Sequence, residues 1–268
     1  MAAGSPGSVP SALGRNLGFH AGLVLLTLAT IILSPVVYPL LRRFRRDNPG
    51  QAVRRIIWYY GRCWVRLVSL FVPFTARTGS SADFPSPCIV VANHQSFFDA
   101  FCMGALPIHD LVFVVRSWPF RIPFYGPYMR RAEYLNSEAM THEQFLAAGA
   151  GLLQRGTSVI MFPEGTRSAT GELGRFYSGA FRLATETGTP VVPLCLGGTG
   201  GFLPRGSFLV RKHPVTVETL PAIDPADFAE HGATAHMELR KAVKARMARW
   251  LMTACPCTAP ESSPVQTI

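Results

Sequence analysis

The sequence predicts an α/β protein in which a mostly parallel central sheet is flanked by helices and joined to an N-terminal, membrane-anchoring helical hairpin. Three observations support this prediction. Short β-branched apolar runs alternate with helical patterns after about residue 85. Residues 21–41 form an uncharged run as long as a membrane-spanning helix. A basic amphipathic pattern follows at residues 54–74.

The composition limits the classes of partner. The 268 residues include 26 Lys+Arg and 16 Asp+Glu, and nearly all of the positive charge is arginine. Such an excess suits nucleic acid, an anionic membrane surface or a phosphorylated substrate. Nucleic acid is the least expected partner, because many arginines lie beside apolar segments. The six cysteines form no C-x-x-C pair, so we predict no metal site and no disulfide scaffold.

The first 75 residues are predicted to attach the chain to a membrane. Residues 1–16 are rich in Gly, Ser, Pro and Ala and are expected to be disordered. The run at residues 21–41 ends at a cluster of four arginines, which favours the cytoplasm for that end. A cleaved signal peptide fits less well, because the basic cluster follows the apolar run. Pro35 and Pro39 leave open whether the segment spans or re-enters.

The segment at residues 54–74 is predicted to be an interfacial helix. Arg55, Arg62 and Arg66 share one stripe of the helix, and Trp64 and Val68 lie roughly opposite. The alternative is a helix packed on the soluble core with a solvated arginine face. The expected division of the chain is therefore a disordered start (1–16), anchoring helices (17–75), an α/β domain (76–253) and a free tail (254–268).

The remaining elements follow from strand and helix patterns. Strands are predicted at residues 88–92, 111–115, 158–162, 190–196 and 214–219, with helices near 96–106, 138–155, 178–187 and 234–252. Gly156 and Gly188 follow two of these helices, where a left-handed C-terminal cap is common.

The first predicted strand ends at Asn93-His94, and Asp99 follows the histidine five positions later, an HX4D motif. Ligands of open α/β sheets bind at the carboxyl ends of strands. The two side chains can meet only if His94 lies in the turn before a helix and Asp99 in its first turn. Because Ser96 precedes Asp99 by three residues, the aspartate could instead be only a cap. If the carboxylate holds one ring nitrogen, the other becomes a competent base.

Two other strand ends carry polar residues. The loop Glu164-Gly165-Thr166-Arg167 can offer N–H groups and a guanidinium to a phosphate, although an ordinary β-to-α turn has similar residues. Arg116 precedes a Pro- and aromatic-rich loop that could line an apolar groove, or it could be solvated. The glycine run at 197–201 does not open onto a helix as G-x-G-x-x-G does, so we interpret it as a flexible loop.

Together these blocks resemble the glycerolipid acyltransferase family, and most of all bacterial 1-acylglycerol-3-phosphate acyltransferases. The blocks are residues 93–99, 116–126, 162–167 and 191–193. The resemblance implies transfer of an acyl group from a thioester, on coenzyme A or acyl carrier protein, to a lysophospholipid hydroxyl. It implies no cofactor beyond that co-substrate. It also implies a place in phospholipid biosynthesis at the cytoplasmic (inner) membrane, with the catalytic domain on the cytoplasmic side.

The resemblance also assigns roles to individual positions. His94 would take the proton of the acceptor hydroxyl, and Asp99 would orient His94 and stabilise its charge. Glu164, Gly165, Thr166 and Arg167 match the family's acceptor-binding loop, with Arg167 the first candidate for the phosphate. Arg116 would be a second phosphate contact.

One departure from the family pattern leaves the acceptor open. The family commonly has Phe-Lys-x-Gly-Ala after the third block, whereas this chain has Tyr177 after Phe176. We therefore expect phosphatidic acid as the product but keep two other acceptors, lyso-ornithine lipid and glycerol 3-phosphate. A non-catalytic membrane adaptor is the alternative from another class.

Overall fold

The computed structural model describes residues 12–168 and 170–254. Helix α1 (Ala12–Leu40) runs through Pro35 and Pro39 and continues as a π-helical turn (Leu41–Arg45). Helix α2 (Pro49–Ser69) starts at a capping box formed by Asn48 and Gln51. Because α1 begins at Ala12, the disorder predicted for residues 12–16 is wrong, while residues 1–11 lie outside the described residues.

The rest of the chain alternates strands and helices. In order these are β1 (Phe74–Arg77), β2 (Ile89–Ala92), α3 (Asp99–Cys102), β3 (Leu111–Val115), α4 (Tyr125–Arg131), β4 (Leu135–Asn136), α5 (His142–Gln154), β5 (Ser158–Met161), α6 (Gly179–Thr187), β6 (Val191–Gly197), α7 (Thr199–Phe202), β7 (Val215–Thr219) and α8 (Ala235–Ala254). A 3-10 turn (Met103–Ala105) extends α3, so the helix predicted near 96–106 is shorter than expected. Gly156 and Gly188 have φ of +80° and +64°, as a left-handed cap requires.

The seven strands form one sheet in the order β1-β7-β6-β2-β5-β3-β4. Every neighbouring pair is parallel except β6 and β7, so the predicted mostly parallel sheet is confirmed. The central strands β2 and β5 are buried at every residue, which explains their unbroken apolar runs. The two edge strands β1 and β4 were not predicted, because β1 is largely exposed and β4 has only two residues.

Helices cover both faces of the sheet. One face packs against α1, α2 and α3 through a cluster that includes Phe19, Trp64 and Phe98. The other packs against α5, α6 and α8 through residues such as Phe181 and Leu239. The carboxyl ends of β2 and β5 open between these layers, and the polar blocks of the sequence follow those ends.

Helix α2 is a core helix, so the interfacial helix predicted at residues 54–74 is wrong. Trp64 and Val68, expected to face the membrane, are 4% and 0% exposed. The helix packs so closely that a Cβ on Gly104 would lie 2.1 Å from the carbonyl carbon of Gly61. The apolar stripe packs into the cluster that covers this face of the sheet, which removes its surface from water without a membrane.

Helix α1 lies along the same side of the domain. Asn16 bonds to Val210, Phe19 packs on Trp64, and Thr27 bonds to the Tyr60 hydroxyl at 2.8 Å. Its outward side is apolar and exposed, and its 34-residue stretch, counted to Arg45, is long and apolar enough to cross a membrane. This finding suggests that the chain associates with a membrane.

Candidate active site

His94 and Asp99 meet in the turn between β2 and α3. The Nδ1 atom of His94 lies 2.8 Å from Oδ2 of Asp99. Asn93 fixes the start of the turn, because its side chain bonds to both the N–H and the carbonyl of Leu196 on β6. Asp99 is fully buried, whereas the His94 side chain is 21% exposed. Because Nδ1 is held by the carboxylate, Nε2 is the nitrogen left to act on a ligand.

Asp99 also caps the turn before α3, which was the alternative role predicted for it. Its Oδ2 accepts the backbone N–H groups of Gln95 at 2.6 Å and Ser96 at 2.8 Å. The Ser96 hydroxyl accepts the Phe98 N–H at 3.2 Å and donates to the Leu203 carbonyl at 2.8 Å, so Ser96 takes part in closing the turn as well. One oxygen therefore both closes the turn and holds His94, and the two interpretations are compatible.

Phe162 and Glu164 position His94 from the neighbouring strand. The rings of Phe162 and His94 stack with centroids 4.1 Å apart. Glu164 accepts the backbone N–H of His94 at 3.0 Å and that of Gly174 at 2.9 Å. Burial raises the pKa of the Glu164 carboxyl above its usual value, and these two hydrogen bonds only partly offset that effect. Glu164 was expected to contact substrate, but both of its oxygens bind backbone of the protein itself.

The rest of the acceptor-loop block lies beside His94. Gly165 has φ of +70°, a conformation that favours glycine, and the Ser168 N–H donates to the His94 carbonyl at 2.7 Å. Thr166 and Arg167 line the same cavity as His94. Within the described part of the chain, the Arg167 guanidinium has no acidic partner within ion-pair distance, so its charge is available to a ligand.

Arg116 also lines this cavity, but it is paired. Its Nε lies 2.5 Å from Oε1 of Glu138, and Oε2 of Glu138 accepts the Ser117 N–H at 2.9 Å. These contacts lower the pKa of the Glu138 carboxyl, the backbone N–H contributing most. Glu138 therefore offsets part of the positive charge that Arg116 presents to the cavity. No local pattern predicts this pairing, because Glu138 lies 22 positions from Arg116.

Two arginines near the site were missed by the sequence reasoning. Arg175 places its guanidinium 5.9 Å from the centroid of Tyr177, the residue found where the family has lysine. Arg205 donates from Nη1 to the Arg167 carbonyl at 3.5 Å. Arg175 lies two positions before Tyr177, the residue that replaces the family's lysine, so matching the family motif residue by residue does not identify it. No motif around Arg205 in the sequence predicts that it lies beside Arg167.

The cavity at His94 has a volume of about 870 Å³ and a mainly apolar lining. It extends from His94 and Arg167 to Thr27 and Ile31 on α1. Its walls include aromatic side chains such as Phe97, Phe101, Trp118, Tyr125 and Tyr128. In residues 12–168 and 170–254, no cluster of three His, Cys, Asp or Glu side chains is arranged to hold a metal ion.

The chain is similar to known proteins over this region. The family model for acyltransferases matches residues 77–197. A chloroplastic 1-acyl-sn-glycerol-3-phosphate acyltransferase of Brassica napus is 34% identical over 166 residues, 60% of this chain and 48% of the relative. An enzyme of the same name from Salmonella typhimurium is 31% identical over 193 residues, 70% of this chain and 77% of the relative.

A solved structure matches more of the chain. The crystal structure of the 1-acyl-sn-glycerophosphate (LPA) acyltransferase PlsC from Thermotoga maritima superposes with a TM-score of 0.65 at 27% identity, over 90% of this chain and 97% of that chain. The chain thus spans about half the length of the plant relatives but most of the length of these bacterial proteins.

Proposed function

The chain belongs to the acyltransferase family, and on that basis we propose that it transfers a fatty acyl group from a thioester to the free hydroxyl of 1-acylglycerol 3-phosphate, giving phosphatidic acid. The observation that supports this most is the bond from His94 to the buried Asp99 at the mouth of an apolar cavity. An adaptor without catalytic activity has no need of a base held in this way.

The chemistry follows from the free nitrogen of His94. Nε2 takes the proton of the acceptor hydroxyl while that oxygen attacks the thioester carbonyl. The C–O bond forms, the tetrahedral intermediate expels the thiolate, and the thiolate takes the proton back from His94. Asp99 stabilises the imidazolium formed in between. The nucleophile comes with the substrate, so no acyl-enzyme is needed.

Arg167 is the proposed contact of the acceptor phosphate. Its guanidinium suits phosphate oxygens bidentately, and it lies on a loop bonded to the His94 carbonyl through Ser168. Arg175 supplies a positive charge beside Tyr177, which offsets the missing lysine and favours a phosphate over the zwitterionic ornithine head group. Arg116 contributes less, because Glu138 already neutralises it.

The acyl chains are proposed to occupy the apolar part of the cavity, between α1 and the aromatic residues of α3 and α4. Because α1 contacts the domain from Asn16 to Ser34, it is proposed to lie in one leaflet rather than to cross the bilayer alone. The arginines after α1 suit the anionic surface of the cytoplasmic leaflet, so the inner membrane's cytoplasmic face is the proposed location.

An acceptor panel tests the proposal. Purified protein is given one acyl thioester, on coenzyme A or on acyl carrier protein, with 1-acylglycerol 3-phosphate, lyso-ornithine lipid, glycerol 3-phosphate or no acceptor. Thiol release and product mass are followed. Phosphatidic acid should form fastest. Release without acceptor would indicate a thioesterase, and a faster reaction with lyso-ornithine lipid would overturn the assigned acceptor.

A further inference from the structure

The segment between α7 and β7, residues 204–212, is held against the N-terminal end of α1. The Asn16 side chain donates to the Val210 carbonyl at 3.1 Å and accepts the Val210 N–H at 2.8 Å. Val210 is buried, and the Arg211 N–H donates to the Phe202 carbonyl at 2.8 Å. We call this segment the basic loop. Its base is therefore fixed to both α1 and the domain.

The tip of the basic loop carries apolar side chains outward. Phe208 is 86% exposed, more than any other large apolar residue in the described part of the chain, and Leu209 is 63% exposed. Gly206 has φ of +77°, and the Ser207 hydroxyl accepts the Leu209 N–H at 2.9 Å. The turn thus holds both side chains in water, although burial of either would be favourable.

Positive charge surrounds this tip. Arg205, Arg211 and Lys212 lie within four residues of Phe208 and are exposed, and the sequence has no acidic residue between Glu186 and Glu218. Apolar side chains at the centre of a purely basic segment are typical of contacts with an anionic lipid surface.

The neighbouring segments end in exposed apolar residues as well. Leu13 and Leu17, on either side of Asn16, are 80% and 70% exposed, and Leu70 at the end of α2 is 79% exposed. These ends are close together, since Phe71 packs on Phe19 with ring centroids 6.0 Å apart. The exposed apolar surface of α1 therefore continues at the basic loop.

We infer that the basic loop docks on an anionic phospholipid bilayer, with Phe208 and Leu209 inserted among the head groups and its three cations on lipid phosphates. The charge and the continuity with α1 favour a bilayer over a protein partner or a second copy of the chain. Through Arg205, which donates to the Arg167 carbonyl, the docked loop would bring the acceptor-binding loop to the membrane surface.

Vesicle flotation with the full chain tests this inference. The vesicles contain phosphatidylglycerol and phosphatidylethanolamine at a ratio of 1:3, or phosphatidylcholine alone. The double variant Phe208→Ala/Leu209→Ala should lower partitioning by about tenfold. The matched control is Met252→Ala on α8, which is 73% exposed on a helix of the other sheet face and should have no effect.

Charge-reversal variants measure the electrostatic contribution to vesicle binding. Arg211→Glu/Lys212→Glu should weaken binding to the anionic vesicles only, and Arg249→Glu on α8 should not. Hydrogen exchange of the wild-type protein needs no variant: the amides of residues 206–209 should slow when anionic vesicles are added. Partitioning equal to that of the α8 controls or unchanged exchange would overturn the inference. So would sedimentation that shows the wild-type protein as a dimer and the Phe208→Ala variant as a monomer.

Discussion

Two hydrogen-bonded side-chain pairs, each with a buried member, lie at opposite ends of the strands of the same sheet, and they differ in which nitrogens they leave free. At the carboxyl ends of the strands, His94 binds Asp99 through Nδ1, and its Nε2 is left for a ligand in the cavity. At the amino ends of the strands, Arg54 is 2% exposed. It bonds to Asp110, which precedes β3, to Thr157, which precedes β5, and to Glu133. An arginine whose three nitrogens are all hydrogen-bonded within the protein stabilises the fold, whereas a histidine with a free nitrogen can do chemistry.

In the His94–Asp99 pair, replacing Asp99 should cause a large fall in kcat. Asp99→Asn keeps an oxygen for the Gln95 and Ser96 N–H groups but cannot stabilise a charged His94. We expect kcat to fall by about 10²–10⁴-fold while the thermal midpoint changes little. Steady-state thiol release and calorimetry on one preparation measure both. A large loss of stability with normal kcat would mean that Asp99 is only a cap.

Replacing Arg54 should have the reverse pattern. Arg54→Ala leaves the carboxylate of Asp110 without its partner, which should lower the free energy of unfolding by about 3 kcal/mol. Activity per folded molecule should be retained. Denaturant unfolding and active-site-normalised rates distinguish the two quantities. Arg77→Ala, which removes an exposed pair with Glu218, is the control and should cost less than about 1 kcal/mol.

The two arginines of the cavity, Arg167 and Arg116, should differ in how much they contribute to acceptor binding. Arg167→Ala should raise the acceptor KM by about tenfold or more with little change in kcat, because a charged contact made in both ground and transition states is lost. Arg116→Ala should have a smaller effect, since Glu138 already offsets part of the charge of that guanidinium. Equal KM values for Arg167→Ala and the unaltered protein would reject the phosphate role.

Glu164 should give the smallest effect, and one that depends on pH. Its folded-state pKa is raised above 4.5, so the folded protein binds the proton more tightly than the unfolded chain. Its contribution to stability is therefore greatest below that unfolded value and falls as pH rises through the folded pKa. The difference in unfolding free energy between wild type and Glu164→Gln, measured against pH, should show this fall. A difference that is flat with pH contradicts the raised pKa.

The sequence predicted the sheet well because its central strands are buried on both faces. Such strands read as unbroken apolar runs, and the runs at residues 88–92 and 158–162 match β2 and β5 closely. The edge strands β1 and β4 have no such pattern and were missed. The role of α2 was mistaken for a related reason, because an apolar stripe has the same composition whether it faces lipid or a sheet.

For the site, the sequence located the residues but not their partners. His94, Asp99 and Arg167 follow strands whose carboxyl ends meet, so their common location was predictable. The pairing of Arg116 with Glu138 and the use of Glu164 by two backbone N–H groups depend on loop conformation. No local pattern determines that conformation. Arg205 approaches Arg167 from 38 positions away, which only the fold could show.

The central claim, that His94 is the base, is tested most directly by the acyl-transfer rate of His94→Ala with 1-acylglycerol 3-phosphate. The variant should reach the membrane and unfold at the wild-type midpoint, because Asp99 keeps its bonds to the turn. We predict a loss of turnover of at least about 100-fold. Turnover within a few-fold of wild type, in folded and membrane-bound protein, would contradict the claim.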